Sequence, residues 1–513
     1  MEGYHHLAGP YCRGRLISQP AELISVKREI YYTKQQVKRI PSVSNRYVHR
    51  KYPGVTIMAA EKLQKRLFGT NGVRGIVGKD MTPDLVLSIG LALGSMRTGR
   101  IAVGRDSRTS GESLANAVKA GLMAAGCNVV DCGMLPTPAL QYLVMHHFDG
   151  GAMITASHNP PEYNGVKIIE PDGTEMGDEQ TVLLEERIFS RDFDVQSWEH
   201  VGSGTSATQR VDEYTDAIIR SVPENIGRNM SVVVDPGCGA ASFTTPKILT
   251  GLGCRVFSIN AQVDGHFPGR LPEPSLDGLK GLADLVRSTG SAFGVAHDGD
   301  ADRAVFVDEN GRFIEENQEF ALVADYICKE RCGIVVTPVS SSLLVETMVK
   351  KHGGTVVYTP VGSIYVARTM RDLIEKGENV VFGGEGNGGL IFPAHQFCRD
   401  GGMTATMMVA ILARSDLPLS RLIDQLPVFH MIKEKIQTTQ PERLIEQLAE
   451  SCKAYRIDRT DGLRITKGDT WALVRPSGTE PFVRISVESA LADSARQFYH
   501  ELMDYISQAV KSE

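Results

Sequence analysis

Three stretches of the chain follow one plan, and that repetition restricts the fold more than any composition figure does. Residues 101–133, 231–260 and 333–362 each read as a short apolar strand, a loop of Ser, Gly and Pro, an amphipathic helix, a glycine stop and a second strand. In the first, Leu114, Val118, Leu122 and Met123 recur on one helical stripe, Gly126 ends it, and 127–132 resume extended structure. In the third, Leu344, Met348 and Val349 mark the helix, Gly353-Gly354 the stop, and 355–358 the second strand. Strands joined through a helix pair in parallel, so the plan predicts three similar α/β domains with mixed or parallel sheets. The tail differs: 442–455 and 492–510 read as helices and 471–474 and 484–488 as strands, an α+β domain. A length of 513 residues admits this number of domains. The expected division is 58–220, 221–318, 319–429 and 430–513, around a central cleft. Residues 1–57, with ten Lys/Arg against three Glu, read as an N-terminal extension of poor order.

Each expected domain holds one segment suited to chemistry. In the first, Thr155-Ala156-Ser157-His158-Asn159-Pro160-Pro161 presents a hydroxyl on a proline-braced loop. Serines in such turns often only bend a loop. A nucleophilic serine needs a base, a cation or a metal beside it, and His158, Lys167 and a triplet of aspartates are the groups available. The Gly-x-Ser-x-Gly elbow of a hydrolase is absent. In the second domain, Asp298-Gly299-Asp300-Ala301-Asp302-Arg303 places carboxylates at i, i+2 and i+4, which project to one side of an extended or turning segment. Three anions so placed repel unless a cation sits among them, and oxygen-only donors favour a hard ion such as Mg²⁺. Glu309 at the twelfth position mimics a calcium EF-hand loop, but Arg303 stands where that loop needs glycine and the flanks read as strands.

In the third domain, Gly383-Gly384-Glu385-Gly386-Asn387-Gly388-Gly389 contains a Gly-x-Gly-x-x-Gly match. A dinucleotide site requires a helix at the third glycine, whereas Leu390-Ile391-Phe392-Pro393 reads as a strand. Glu385, on a loop too glycine-rich to block close approach, suits hydrogen bonding to sugar hydroxyls. In the fourth, Arg475-Pro476-Ser477-Gly478-Thr479-Glu480-Pro481, with Arg484 following, has the parts of an anion cradle: two hydroxyls, a glycine and two arginines.

Taken in this order, the segments resemble the α-D-phosphohexomutase family, which interconverts hexose 6-phosphates and 1-phosphates. The resemblance extends to Phe68-Gly69-Thr70-Asn71-Gly72-Val73-Arg74-Gly75, Gly104-Arg105-Asp106-Ser107-Arg108 and Asn164-Gly165-Val166-Lys167, and covers about residues 60–510. It implies a phosphoserine at Ser157, Mg²⁺ held by Asp298, Asp300, Asp302 and the seryl phosphate, and proton transfer assisted by Lys167. It further implies sugar reading by Glu385 and Asn387. Arg475, Ser477, Gly478, Thr479 and Arg484 would grip the phosphate that does not react, with Arg74, Arg105 and Arg303 lining the reaction centre. A hexose 1,6-bisphosphate would form and turn over in the cleft. The sugar loop departs from the Glu-x-Ser-Gly-His of many bacterial members, with Gly389 in the histidine's place, and resembles archaeal members instead. Asn71 replaces a frequent aspartate. The opening Phe68–Gly75 is most similar to phosphoglucosamine mutases, so glucosamine phosphate is the expected substrate, with mannose or glucose phosphate the alternative.

Composition removes other classes. A formal net charge of −6 argues against nucleic acid as the principal partner. No run of about 18 apolar residues suggests a membrane span, no leader pattern is visible, and nine scattered cysteines without Cys-x-x-Cys read as reduced packing residues. A cytoplasmic enzyme acting on a small phosphosugar is expected. No Gly-x-x-x-x-Gly-Lys-Ser/Thr loop marks a nucleotide donor. A silent phosphosugar-binding protein would have lost Ser157 or an aspartate.

Overall fold

The structure, a computed structural model, describes residues 65–438, 440–476 and 482–511. The expected extension at 1–57, and Ser477, Gly478 and Thr479 of the anion cradle, lie outside the described residues.

The three repeats take the form their pattern predicts. The strand Arg100–Arg105, helix Gly111–Ala124 and strand Asn128–Met134 form the first, Ser231–Asp235, Thr245–Gly251 and Arg255–Ser258 the second, and Ile334–Pro338, Leu343–Lys351 and Thr355–Thr359 the third. In each, the two strands pair in parallel. The stop glycines Gly126, Gly253 and Gly353 have φ of 90°, 90° and 77°. A side chain there would be strained, which is why the helix ends at that point in all three.

What periodicity did not reveal is the antiparallel half of each sheet. The first sheet runs Val73–Ile76, Tyr163–Ile169, Gly150–Ile154, Arg100–Arg105, Asn128–Met134, Gly204–Ser206, and its strands from Gly150–Ile154 to Val73–Ile76 alternate in direction. The second runs Ala304–Asp308, Phe293–His297, Ser231–Asp235, Arg255–Ser258, with the first pair antiparallel. The third runs Thr355–Thr359, Ile334–Pro338, Val380–Glu385, Gly389–Ile391, with the last pair antiparallel. The fourth sheet, His430–Gln437, Phe482–Ser489, Thr470–Pro476, Leu463–Lys467, Arg456–Asp458, is antiparallel throughout.

One rule places the chemistry. Each motif connects the two strands of an antiparallel hairpin: 155–162 between Gly150–Ile154 and Tyr163–Ile169, 298–303 between Phe293–His297 and Ala304–Asp308, and 386–388 between Val380–Glu385 and Gly389–Ile391. The strands entering the first two tips are buried along their whole length, so those tips are carried on rigid stems.

The helix Gly401–Ala413 explains how the stems are held together. Eleven of its residues, from Gly401 to Leu412, are buried, and a helix apolar on all sides belongs inside a core. Met403, Met408, Val409 and Ile411 join Leu140 and Leu143 of the helix Thr137–His147, Val232 and Phe293 of the second sheet and Phe382 of the third in one apolar cluster. The C-terminal residues instead have a cluster of their own, including Leu448, Ile465, Val474, Val487, Phe498 and Leu502. Among the described residues all cysteines are free, with Cys332 alone exposed, and no helix is long and apolar enough to cross a membrane.

Candidate active site

Ser157 sits in the left-handed region with φ of 51°, an unfavourable setting for a residue with a Cβ. The clamp that holds it comes from the Gly104–Arg108 segment. Arg108, fully buried, donates through Nη2 to the carbonyls of Ser157 at 2.9 Å and Asn159 at 2.6 Å, and through Nη1 to those of Pro160 at 2.6 Å and Tyr163 at 2.9 Å. Asp106 holds Arg108 Nε at 3.1 Å and accepts from Thr155 Oγ1 at 2.6 Å, and Thr155 Oγ1 in turn accepts the Ser157 N–H at 2.8 Å. Arg105, expected at the reaction centre, is not among the residues lining the cleft. Its stem lies against Gly111, and Arg108 is the arginine of that segment that reaches the serine loop.

The aspartate loop meets the serine face to face. A Cβ at Gly299 would stand 2.6 Å from the Ser157 carbonyl, so glycine is what lets the two loops touch. Ser157 Oγ donates to Asp298 Oδ2 at 2.7 Å, and His158 Nδ1 lies 3.3 Å from the same hydroxyl. Asp298, Asp300 and Asp302 are buried, and one oxygen from each lies within 4.8 Å of the others. The flanking elements are strands, which removes the EF-hand reading.

Charge is distributed unevenly over this triplet. Lys167 Nζ donates to Asp300 Oδ2 at 2.8 Å and Asp302 Oδ2 at 3.1 Å, and Arg399 Nη2 donates to Asp302 Oδ2 at 2.5 Å. Burial disfavours both carboxylates, yet these cations prevail and hold Asp300 and Asp302 below the ordinary range. Asp298 has only Arg303, at 3.2 Å, as a cation in contact. Burial and the Asp302 charge push it up to about 7. Burial, with Arg303 and Arg74 nearby, lowers His158 to about 4, which leaves its imidazole neutral at pH 7. Lys167, held by Asp300 and Asp302 against its burial, keeps its proton well above the usual range.

The triplet fits a hard divalent cation. Asp300 Oδ1 and Asp302 Oδ1 are buried with no hydrogen-bond partner among the described residues, and a set of oxygen-only donors that leaves coordination positions for phosphate and water suits Mg²⁺.

The cleft itself is a cavity of about 170 Å³ lined by Thr70, Asn71, Arg74, Ser157, His158, Arg303, Val361, Gly362, Glu385, Asn387, Arg399 and Arg475. It thus unites residues from all four motif segments. Arg74 Nη1 donates to Asn159 Oδ1 at 3.0 Å. Asn387 Oδ1 accepts the Gly389 N–H at 3.2 Å and shapes the sugar loop. Gly389 opens a strand, as the rejection of a dinucleotide site requires. Lys167 lies behind the lining, on the aspartates. Arg484 is exposed and stands directly across the ladder from Arg475, with Lys435 beyond it. Three cations side by side repel, an arrangement suited to an anion between them.

Besides Arg108, sequence reasoning missed four participants. Glu273 takes Arg303 with both carboxylate oxygens at 3.2 Å. Thr137, opening the helix Thr137–His147, donates from Oγ1 to Asp300 Oδ2 at 2.5 Å and from its N–H to the Asp300 carbonyl at 2.9 Å. Arg399 joins Asp302 to Glu385, with Nη1 3.3 Å from Glu385 Oε2. Asp461 accepts from Arg475 Nε at 2.8 Å and from the Val361 N–H at 2.9 Å. The Pro-x-Pro around Thr137 was the only local signal among them, since the others depend on segments remote in sequence.

Comparison with known proteins gives the same picture from another side. Residues 65–195, 212–311 and 315–429 match the phosphoglucomutase/phosphomannomutase alpha/beta/alpha domains I, II and III, and 433–504 match the C-terminal domain of the same family. A phosphoglucomutase/phosphomannomutase of Thermococcus kodakarensis is 44% identical over 460 residues, covering 87% of this chain and 99% of that protein. A phosphoglucosamine/phosphogalactosamine mutase of Sulfurisphaera tokodaii is 38% identical over 452 residues, covering 85% and 98%. The crystal structure of a phosphoglucomutase/phosphomannomutase family protein from Burkholderia thailandensis superposes with a TM-score of 0.76 at 28% identity, covering 86% of this chain and 97% of that one.

Proposed function

This chain belongs to the phosphoglucomutase/phosphomannomutase family of phosphohexomutases, and on that premise we propose that it interconverts glucosamine 6-phosphate and glucosamine 1-phosphate through a phosphoserine at Ser157 and a 1,6-bisphosphate. The observation that carries this reading is Ser157 Oγ, strained into the cleft and 2.7 Å from an aspartate of the triplet.

In the first half-reaction a sugar hydroxyl attacks the phosphorus on Ser157, the bond from phosphorus to Oγ breaks, and the bisphosphate forms. The hydroxyl's proton passes through His158, the imidazole beside Oγ, to the departing Ser157 oxygen; in the second half-reaction that serine hydroxyl attacks the other phosphorus and its proton passes back through His158 to the sugar oxygen that leaves. Arg74 and Arg303 line the cleft at the serine and neutralise the phosphoryl oxygens, the main demand of phosphoryl transfer. Lys167, hydrogen-bonded to Asp300 and Asp302, sustains their charge and assists the proton transfer as a donor. Glu385 and Asn387 read the sugar hydroxyls, and Arg475 with Arg484, together with Ser477, Gly478 and Thr479, grips the distal phosphate. Mg²⁺, held by Asp298, Asp300 and Asp302, supplies the counter-charge that lets a seryl phosphate of about −1.5 to −2 rest beside three carboxylates. The division at residues 220, 318 and 429 gives each domain one of these tasks.

The glucosamine preference is supported by the Phe68–Gly75 opening and by the named activity of the Sulfurisphaera relative. The name of the Thermococcus relative supports mannose and glucose phosphates as the second reading. An assay of the three hexose phosphates side by side, with Mg²⁺ and a bisphosphate primer, tests both. Glucosamine 6-phosphate turns over fastest, EDTA stops turnover, and Ser157→Ala loses at least ~1000-fold. A faster mannose or glucose reaction overturns the substrate, and full activity in the alanine variant overturns the mechanism.

A further inference from the structure

Gly389 is a glycine for want of room, and the room is taken chiefly by one side chain. Its backbone is not left-handed, unlike Gly384 and Gly388, whose φ are 152° and 81°, so conformation alone would admit any residue. A Cβ built there, however, would stand 2.4 Å from Arg399 Cδ and 3.1 Å from Arg399 Cγ, with Asn387 Oδ1 at 3.0 Å the one other atom as close. The Arg399 atoms are the middle of a stem fixed at both ends. On the backbone side, Arg399 bridges Ile391 and directly precedes Asp400, whose N–H is bound by the Leu390 carbonyl and whose side chain caps the helix Gly401–Ala413. On the far side, the guanidinium is bound to Asp302 and Glu385.

We propose that Arg399 is the positioning residue of the sugar site: it fills the space beside the sugar loop, fixes the Glu385 carboxylate for the sugar hydroxyls, and ties that loop to the aspartate loop. The inference rests on the phosphohexomutase reading above. Arginine suits the task because its planar fork offers separate donors to two carboxylates in a fixed relation, which a lysine point charge does not. Arg399 is 6% exposed and lines the cleft, so it is shielded from water at the place where the sugar binds. It engages Glu385 through Oε2 alone, and Oε1 has no hydrogen-bond partner among the described residues, which leaves it for a hydroxyl of the ligand. Glycine at 389 and arginine at 399 are therefore one device: a side chain at 389 displaces the arginine, and loss of the arginine frees Glu385.

Binding of a hexose 1,6-bisphosphate to the Ser157→Ala protein in EDTA, measured by calorimetry, reads the device without turnover and without metal. Arg399→Ala and Glu385→Ala each weaken binding by roughly tenfold, as for loss of one charge-assisted contact, and the double variant is no weaker than Glu385→Ala alone. Arg399→Lys keeps the stem and charge and shows the same loss, whereas a residue that only fills space would be rescued by it. In melting experiments Gly389→Ala lowers the transition of the otherwise native protein and has a much smaller effect in the Arg399→Ala background. Independent losses that multiply in the Arg399/Glu385 pair, full affinity in Arg399→Lys, or a Gly389→Ala effect that persists undiminished without Arg399 overturns the proposal. Turnover of hexose phosphates by the unaltered enzyme, run in parallel, tests the underlying reading separately, because the coupling of Gly389 to Arg399 is measured without catalysis.

Discussion

Ser157 combines a left-handed backbone with a proposed role that needs its hydroxyl, and these two properties can be separated by mutation. The conformation costs a residue with a Cβ about 1–2 kcal/mol and costs glycine almost nothing. Ser157→Gly and Ser157→Ala both lose Oγ and its hydrogen bond to Asp298, so both are inactive. Denaturant titration should nonetheless find the glycine variant more stable than the alanine variant by about 1 kcal/mol. Equal midpoints would mean that the Arg108 clamp imposes no strain. Ser157 and the three aspartates were legible in the sequence because their chemistry is packed into six or seven consecutive residues. Arg108 and Glu273 were not legible as participants, because the carbonyls that Arg108 binds lie 49 to 55 residues away and the guanidinium that Glu273 holds lies 30 away. No local pattern records such pairings.

At the scale of elements, the β-α-β units could be read because helix stripes and glycine stops have their own periods. The antiparallel hairpins that bear the motifs could not, since a short buried strand is a run of apolar residues whichever way its neighbour points. The helix Glu316–Glu330 shows another limit of pattern. Its first turn abuts the sugar loop, with Asn317 Oδ1 2.2 Å from where a Gly386 Cβ would lie. Yet it buries Glu319 completely, with neither carboxylate oxygen partnered among the described residues. Burial, aided by Glu316, raises this carboxyl well above the carboxylate range. The unfolded chain therefore releases the proton at a pH where the folded protein still holds it, and stability falls as pH rises through that window. Glu319→Gln removes this loss. Melting curves from about pH 5 to pH 8 should show the variant gaining on the native protein as pH rises, and parallel curves would contradict the assignment of a buried neutral acid.

Over the whole molecule, the first three sheets share an apolar cluster that crosses their boundaries, whereas the C-terminal sheet has its own and meets the third through a small apolar cluster of Val339, Trp471 and Leu473 together with specific polar contacts. Glu488 accepts from Ser342 Oγ at 2.5 Å, from the Leu343 N–H at 2.7 Å and from Trp471 Nε1 at 2.8 Å, which docks the C-terminal sheet on the start of the helix Leu343–Lys351. Asp461 makes the second contact, from Arg475 to the backbone at Val361, and both of these residues line the cleft. Asp461→Ala should raise KM for hexose phosphates roughly tenfold through loss of a charge-assisted pair and leave kcat less affected. A fall in kcat alone would place Asp461 in the chemical step instead. The four-part architecture was legible because each part carries its own motif. The seams between parts were not, because they combine residues remote in sequence, such as Val339 with Trp471 and Glu488 with Ser342, that match no local pattern.

The central claim is that Ser157 carries the phosphoryl group between the two positions of the sugar. Incubation of the protein with a hexose 1,6-bisphosphate and Mg²⁺, followed by peptide mass spectrometry, tests it most directly. One phosphoryl group is expected on the Ser157 peptide, discharged by added hexose 6-phosphate and absent from Ser157→Ala. Phosphate on another residue, or a peptide that stays unmodified while the enzyme turns over, would contradict it.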